Sequence, residues 1–351
     1  MRYKDLHVAW AYFFIHLLVE LVCFTLLFRM YSLKLAWTAA IVYDLVAFVP
    51  QGLIGEFIRR HPRFDIGSTG VLFMTLSLFL LPSGIYALHI LGIVSLAFGN
   101  ALLHEAGAVA CVAAGDGKLF HSALFVGGGS FGVVIGKTIA AYGFSLWFLL
   151  IPLALTGILC FWIRKEGFSS KTEFPLYKIC NERYPGAILL LAAFFVTTAR
   201  SFIAYAIPIS WKKEVWQSFV LFFLMGMGKA LGGYFADRFG ARRTGVLSSL
   251  LCIPFLLAGK DHMLVSVIGV FLFSMTMSIT FAMCLSVLPD APGVAFGITT
   301  FALFAGLMIP FCFGDPGAVI NTAAVIVLSL VSALLLYQTT IDKEEKKCEQ
   351  E

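Results

Sequence analysis

Gly233-Tyr-Phe-Ala-Asp237-Arg238-Phe-Gly240-Ala-Arg242-Arg243 sets a turn and four charges between two long apolar runs. The chain around it decides how that stretch is read. Of its 351 residues 60% are hydrophobic and only 13% charged, with a mean hydropathy of +0.92, a composition that would not stay in water as a globule. It belongs to an integral membrane protein, and the quoted stretch reads as a cytoplasmic hinge between two membrane helices. Since a helix needs about 20 residues to cross a hydrocarbon layer of roughly 30 Å, the chain has room for about a dozen spans joined by short loops.

Apolar runs bounded by charge clusters place spans on either side of the hinge, at 217–236 and 243–258. Ten more lie at 8–29, 36–58, 66–82, 86–113, 119–141, 144–163, 186–207, 263–288, 292–313 and 317–338. The runs at 66–82 and 243–258 are short, and Pro254 is a candidate kink in the latter. With both termini inside, the inner segments hold most of the basic residues, among them Arg59, Arg60, Arg164, Lys165, Arg238, Arg242, Arg243 and Lys346. The outer segments keep only Arg29, Lys34, Lys212, Lys213 and Lys260. The bias follows the positive-inside tendency, agrees with an even number of spans, and accounts for the net charge of +5 without nucleic acid as a partner. The N-terminal run exceeds 20 residues, contains Glu20 and has no small-residue cleavage site, so it reads as the first span. The eight cysteines are scattered, without metal-ligand or redox spacing.

The longest polar interruption, 164–185, divides the spans six and six. The expected organisation is an N-terminal six-helix bundle at 1–163, a cytoplasmic linker at 164–185, a C-terminal six-helix bundle at 186–338 and a cytoplasmic, frayed helical tail at 339–351. A weak internal repeat agrees with it: Gly52-Leu-Ile-Gly-Glu56-Phe-Ile-Arg59-Arg60 ends the second span as the quoted hinge ends the eighth, Gly52 and Gly233 lying 181 residues apart.

At this point the chain resembles the major facilitator superfamily. The signature loop of that family, Gly-x-x-x-Asp-Arg-x-Gly-x-Arg-Arg, is matched by Gly233, Asp237, Arg238, Gly240, Arg242 and Arg243. The copy in the first half keeps Gly52 and has Glu56 for the acid, with Phe57 and Arg59 where Arg and Gly are expected. Glycines there let helices approach closely, while the acid and arginines can pair with helix ends in one of two alternating states. A plain positive-inside stop signal would explain the basic residues but not the ordered Gly, Asp and Gly. Gly99-Asn100, His104-Glu105, Gly107, Gly115 to Lys118 and Val126 to Gly132 look like the fosmidomycin-resistance branch of efflux transporters. Where family antiporters carry Gly-Pro late in the fifth span, this chain has Gly136-Lys137, which leaves uptake of an organic anion open beside export.

Charged side chains at the bilayer centre cost about 2.5 to 3.5 kcal/mol each even on lenient scales, so each calls for a partner, a wet cavity or a function. Six stand inside spans here: Glu20, Asp44, Glu105, Lys137, Arg200 and Lys229. His16 and Glu20 are four apart and share a helix face, whereas His104 and Glu105 point about 100° apart. The resemblance implies that the first, fourth, seventh and tenth spans line a central cavity. That puts Arg200, Glu20, Glu105, His16 and Asn100 at the substrate and leaves Asp44, Lys137 and Lys229 near the interface between bundles. The tenth span offers only Ser274, Thr276, Ser278 and Thr280. Arg200 is the anion-binding candidate because its guanidinium is planar and forked, and Glu105, Glu20 and Asp44 are the candidate proton carriers. Gly52, Glu56, Lys137, Lys229 and the six signature residues are candidates for gating. The alternative for Asp44 and Lys137 is a structural pair that holds two helices in register.

Two motifs mislead. Gly127-Gly-Gly129-Ser-Phe-Gly132 fits a dinucleotide fingerprint but follows no strand, and reads as a helix-packing face. His104-Glu105 begins a zinc-protease string that fails at Ala108, so no metal site is expected, and no cofactor. The expected protein is therefore an all-α polytopic membrane protein of twelve spans in two bundles. It is not an enzyme but a monomeric, proton-coupled secondary transporter that exports a small polar or amphipathic compound from a prokaryotic cell through the inner membrane. Uptake of an organic anion, or a non-transporting sensor on the same scaffold, are its rivals.

Overall fold

The computed structural model describes residues 3–342; Arg2 and the tail from residue 343 lie outside the described residues. Among those described, twelve helices are long and apolar enough to cross a membrane. In chain order the first six are Leu6–Met30, Leu35–Arg60, Ile66–Ser83, Tyr86–Gly115, Phe120–Tyr142 and Leu146–Arg164. The last six are Gly186–Ala206, Val215–Phe239, Ala241–Ala258, Met263–Val287, Pro292–Phe313 and Ala318–Thr339. They are numbered here as the first to twelfth spans. The chain is a multi-pass membrane protein, and no strand is present among the described residues beyond one isolated bridge between Cys180 and Thr340.

Local chemistry sets the span ends. Asp65 starts the third span by accepting from the Ser68 amide at 3.1 Å, and a capping box of Glu214 and Gln217 starts the eighth. The short runs gain length at their ends: a 3₁₀ turn at Leu81–Ser83 extends the third span, and the ninth begins at Ala241, one residue after the eighth stops. That one residue is Gly240, whose φ of 102° lies where a side chain would be strained.

Two spans are interrupted where the sequence shows unbroken apolar runs. The second divides into Leu33–Phe48 and Gln51–Arg60 at Val49-Pro50, because proline has no N–H to give, and the Gln51 side chain donates to the Ala47 carbonyl at 2.9 Å. The tenth divides into Met263–Ser274 and Met277–Val287 without a proline, next to serine and threonine hydroxyls that bond back to their own helix. Conversely, the ninth span runs on through Pro254 as one helix.

The first span packs along the fifth, the third along the fourth, the seventh along the eleventh and the ninth along the tenth. The Gly127 to Gly132 stretch is a packing face: Gly128, Gly129 and Gly132 lie against Phe13, His16 and Glu20 of the first span, and Gly127 against Gly226 of the eighth. After Arg164 the chain crosses to the seventh span through a 3₁₀ turn at Phe168–Ser170. It is tied to the end of the twelfth span by bonds from Asn181 N to Thr339 O and Ile341 N to Ile179 O, both 2.9 Å. The ends of the described chain, Tyr3 and Asp342, and this crossing share one end of the molecule, called the terminal face below.

Candidate functional site

Halfway along the first and fourth spans, four polar side chains close on one another inside the first bundle. His16 and Glu20 come from one turn of the first span, Asn100 and His104 from one turn of the fourth. They are 8%, 5%, 0% and 5% exposed, so their groups must satisfy each other. Asn100 Nδ2 donates to Glu20 Oε1 at 2.9 Å. His16 Nδ1 donates to the Phe125 carbonyl at 2.9 Å and His104 Nδ1 to the Asn100 carbonyl at 3.0 Å. The remaining ring nitrogens turn to the same carboxylate: His16 Nε2 lies 3.8 Å and His104 Nε2 3.6 Å from Glu20 Oε1, and the rings meet edge to face at 4.4 Å. The His16–Glu20 pair read from helical spacing thus joins Asn100 and His104 of the fourth span in one cluster, with Cys23 at its edge.

Glu105 is adjacent to His104 but points elsewhere. Its carboxyl is fully buried and neither oxygen has a hydrogen-bond partner. It sits where the two bundles touch: a Cβ added to Gly293 of the eleventh span would lie 2.6 Å from Glu105 Oε2 and 2.6 Å from the Cα of Gly55 in the second span. The second and eleventh spans form one seam between the bundles, which continues through Gly52 and Gly297 to Thr300, whose hydroxyl donates to the Phe48 carbonyl at 3.1 Å. The fifth and eighth spans form the other, from the Phe131 and Phe223 rings (5.5 Å) past Gly127 and Gly226 to Gly233. Both seams run from mid-depth to the terminal face.

Beyond Gly233 the signature residues complete this contact. Asp237 is buried and accepts from the amides of Leu119 and Phe120 at 2.9 and 3.0 Å, so a carboxylate of the second bundle caps the first turn of a span in the first. The Tyr3 hydroxyl donates to it at 3.3 Å, and burial, with Asp237 beside it, pushes the Tyr3 phenol well above its ordinary range. Arg242 Nε donates to the Thr340 carbonyl at 2.6 Å, Arg243 Nε reaches Asp342 at 3.6 Å, and Arg238 lies over the Phe239 ring. The first-half copy behaves differently. Glu56 accepts from Arg59 and Arg60 on its own helix at 2.7 Å, while Gly52 and Gly55 of the same stretch make the cross-bundle contact.

Asp44 and Lys137 make no direct ion pair among the described residues, though each lies within electrostatic reach of the other. The Lys137 ammonium sits over the rings of Phe24, Phe28 and Phe222, at 5.3, 5.0 and 5.6 Å, in an aromatic cage. Arg200, deep in the second bundle, has no acidic partner among the described residues. Its guanidinium approaches Met277 Sδ at 3.1 Å, its Nε has no partner, and it borders a small cavity shared with Ser249, Thr276 and Ser329. Lys229 faces the first-bundle cluster from the eighth span, near enough to act electrostatically on His16, Glu20 and His104. The expected substrate residues therefore fall in three places: the His16–Glu20–Asn100 group with His104, the seam at Glu105, and the second bundle at Arg200. Sequence reasoning missed the seam glycines Gly293 and Gly297, for which Gly52-x-x-Gly55 opposite Gly293-x-x-x-Gly297 was the available signal.

No family model matches the chain, and no curated protein matches it either. Solved structures do. A variant of the E. coli fucose:proton symporter FucP aligns with a TM-score of 0.65 at 15% identity, over 94% of this chain and 95% of that one. The chain has the major facilitator fold. FucP, a major facilitator superfamily transporter, in the outward conformation gives 0.60 at 14% identity over the same shares. The human organic anion transporter MFSD10 (TETRAN) gives 0.65 at 17% identity, over 95% of this chain and 99% of that one. At these identities the likeness is one of fold.

Proposed function

We propose that the protein is a secondary active transporter of the major facilitator superfamily, which moves a small polar or amphipathic organic compound by alternating access, coupled to protons and in the direction of export. Glu105 carries this reading. Its unpartnered carboxyl is enclosed at a seam that has to open and close as residues 1–163 and 186–338 rock against each other about the 164–185 linker. An ionised carboxyl without donors is costly in such a place. The seam therefore closes over the neutral acid and opens on the ionised one, which makes proton transfer and rocking a single event. The fosmidomycin-resistance resemblance of residues 99–132 supports export, and the distribution of basic residues supports a cytoplasmic terminal face in a prokaryotic inner membrane, with the protein acting as a monomer.

The test is proton flux into vesicles reconstituted with the protein and challenged with phosphonates, carboxylates, cationic drugs and sugars, with ligand-induced thermal stabilisation measured in parallel. Glu105→Gln should abolish ligand-driven proton flux and keep the stabilisation. Wild-type flux in Glu105→Gln would refute the coupling, and stabilisation without flux in the wild type would point to a sensor. A second reading, proton-coupled uptake of an organic anion, is favoured by the buried guanidinium of Arg200, which has no acidic partner among the described residues and an Nε without a hydrogen bond, and a fucose:proton symporter and an organic anion transporter share the fold. On that reading Arg200→Ala removes stabilisation by carboxylates and phosphonates, and flux runs inward.

A further inference from the structure

We infer that His16, Glu20 and His104 form a binding site for a divalent transition-metal ion, of which Zn²⁺ is the type. The imidazole nitrogens decide it. Carbonyl oxygens only accept, so Nδ1 of His16, bonded to the Phe125 carbonyl, and Nδ1 of His104, bonded to the Asn100 carbonyl, each carry the hydrogen. Both Nε2 atoms are then lone-pair donors, and both turn toward Glu20 Oε1, which carries lone pairs of its own. Three electron-pair donors, one from each residue, thus lie within 4.8 Å of one another in a buried place. The Nε2 to Oε1 separations of 3.6 and 3.8 Å are too long for a shared proton. They are close to the spacing of about 3.3 Å between ligands of a tetrahedral ion with bonds of about 2.0–2.1 Å.

The surroundings fit an ion. Metal-binding histidines commonly donate their second nitrogen to a backbone carbonyl, which fixes the tautomer and turns the other nitrogen to the metal, as at both rings here. Asn100 holds the Glu20 carboxylate in place through Nδ2, and its buried Oδ1, without a partner, is an acceptor for a metal-bound water. Two imidazoles and one carboxylate with an open fourth position suit Zn²⁺ and its neighbours, whereas Mg²⁺ and Ca²⁺ seek oxygen ligands in larger number. Lys229, on the eighth span, acts electrostatically on all three ligands, and its charge disfavours a bound cation. No local motif announces the site, because its ligands are split between two spans as an i, i+4 pair and a single histidine. It stands whether or not the transport reading above is correct.

The test is titration of the untagged, detergent-purified full chain with Zn²⁺ by calorimetry, and with Co²⁺ by visible absorption. The wild type should bind about one equivalent and give the intense d–d bands of a four-coordinate Co²⁺ ion. His16→Ala, His104→Ala and the milder His104→Gln should each weaken binding at least tenfold while eluting as monodisperse protein, and His89→Ala, in the first turn of the fourth span, should not. Lys229→Gln, by removing the opposing charge, should tighten binding more than about threefold. Binding that is absent, that survives both histidine-to-alanine changes, or that ignores Lys229→Gln would overturn the site.

Discussion

Asp237 accepts two amide hydrogen bonds from the first turn of the fifth span, so its charge rests against the positive end of a helix in the other bundle. Asp237→Asn keeps the shape and removes the charge. A loss of about 1 kcal/mol, within the usual 0.3–2 for a charge at a helix end, moves the equilibrium about fivefold toward the conformer open at the terminal face. A cysteine placed at Ala123, which packs on Gly233, should be alkylated correspondingly faster in the Asp237→Asn background; an unchanged rate would remove Asp237 from the latch. The signature spacing was legible because every part of it lies within eleven consecutive residues. The contact it makes was not, since Leu119 and Phe120 are more than a hundred residues away. The cage around Lys137 was hidden for a related reason: the aromatic rings that hold it come from the first and eighth spans, and which rings meet which charge is a property of packing.

Each seam is a matter of two helices approaching closely, and the second–eleventh seam rests on Gly55 and Gly293. Gly293→Val would place carbon against the Gly55 backbone and the Glu105 carboxyl at once. Overpacking of that kind costs about 1–3 kcal/mol, and here it falls only on the closed conformer. The variant should insert and purify as the wild type does but fail to close the terminal face, with transport lost and ligand stabilisation preserved. Normal transport by Gly293→Val would show that the seam does not have to close. Span positions were legible to within a few residues, because polar clusters and caps write helix ends into the local sequence. The break in the tenth span was not, since an apolar run with scattered hydroxyls reads as one helix. The approach of His104 to His16 and Glu20 likewise depends on the register between the first and fourth spans, which no single helix encodes.

At the scale of the molecule, we propose that two bundles rock about a mid-depth site and that protonation of Glu105 biases which face is closed. Arg63 and Asp290 lie exposed on opposite bundles at the terminal face, and Tyr86 and Phe313 on opposite bundles at the other end. The proton itself is the ligand for the experiment, so no cargo has to be known. The decisive measurement is the pair of electron–electron distances from spin labels at 63 and 290, and separately at 86 and 313. Both pairs are placed in a background without native cysteines, reconstituted in lipid, and compared at mildly acidic and mildly alkaline pH. Acid should shorten the 63–290 distance and lengthen the 86–313 distance, alkali should do the reverse, and Glu105→Gln should hold the acid pattern at both pH values. Distances that stay fixed, or that lengthen and shorten together at both faces, would contradict the claim.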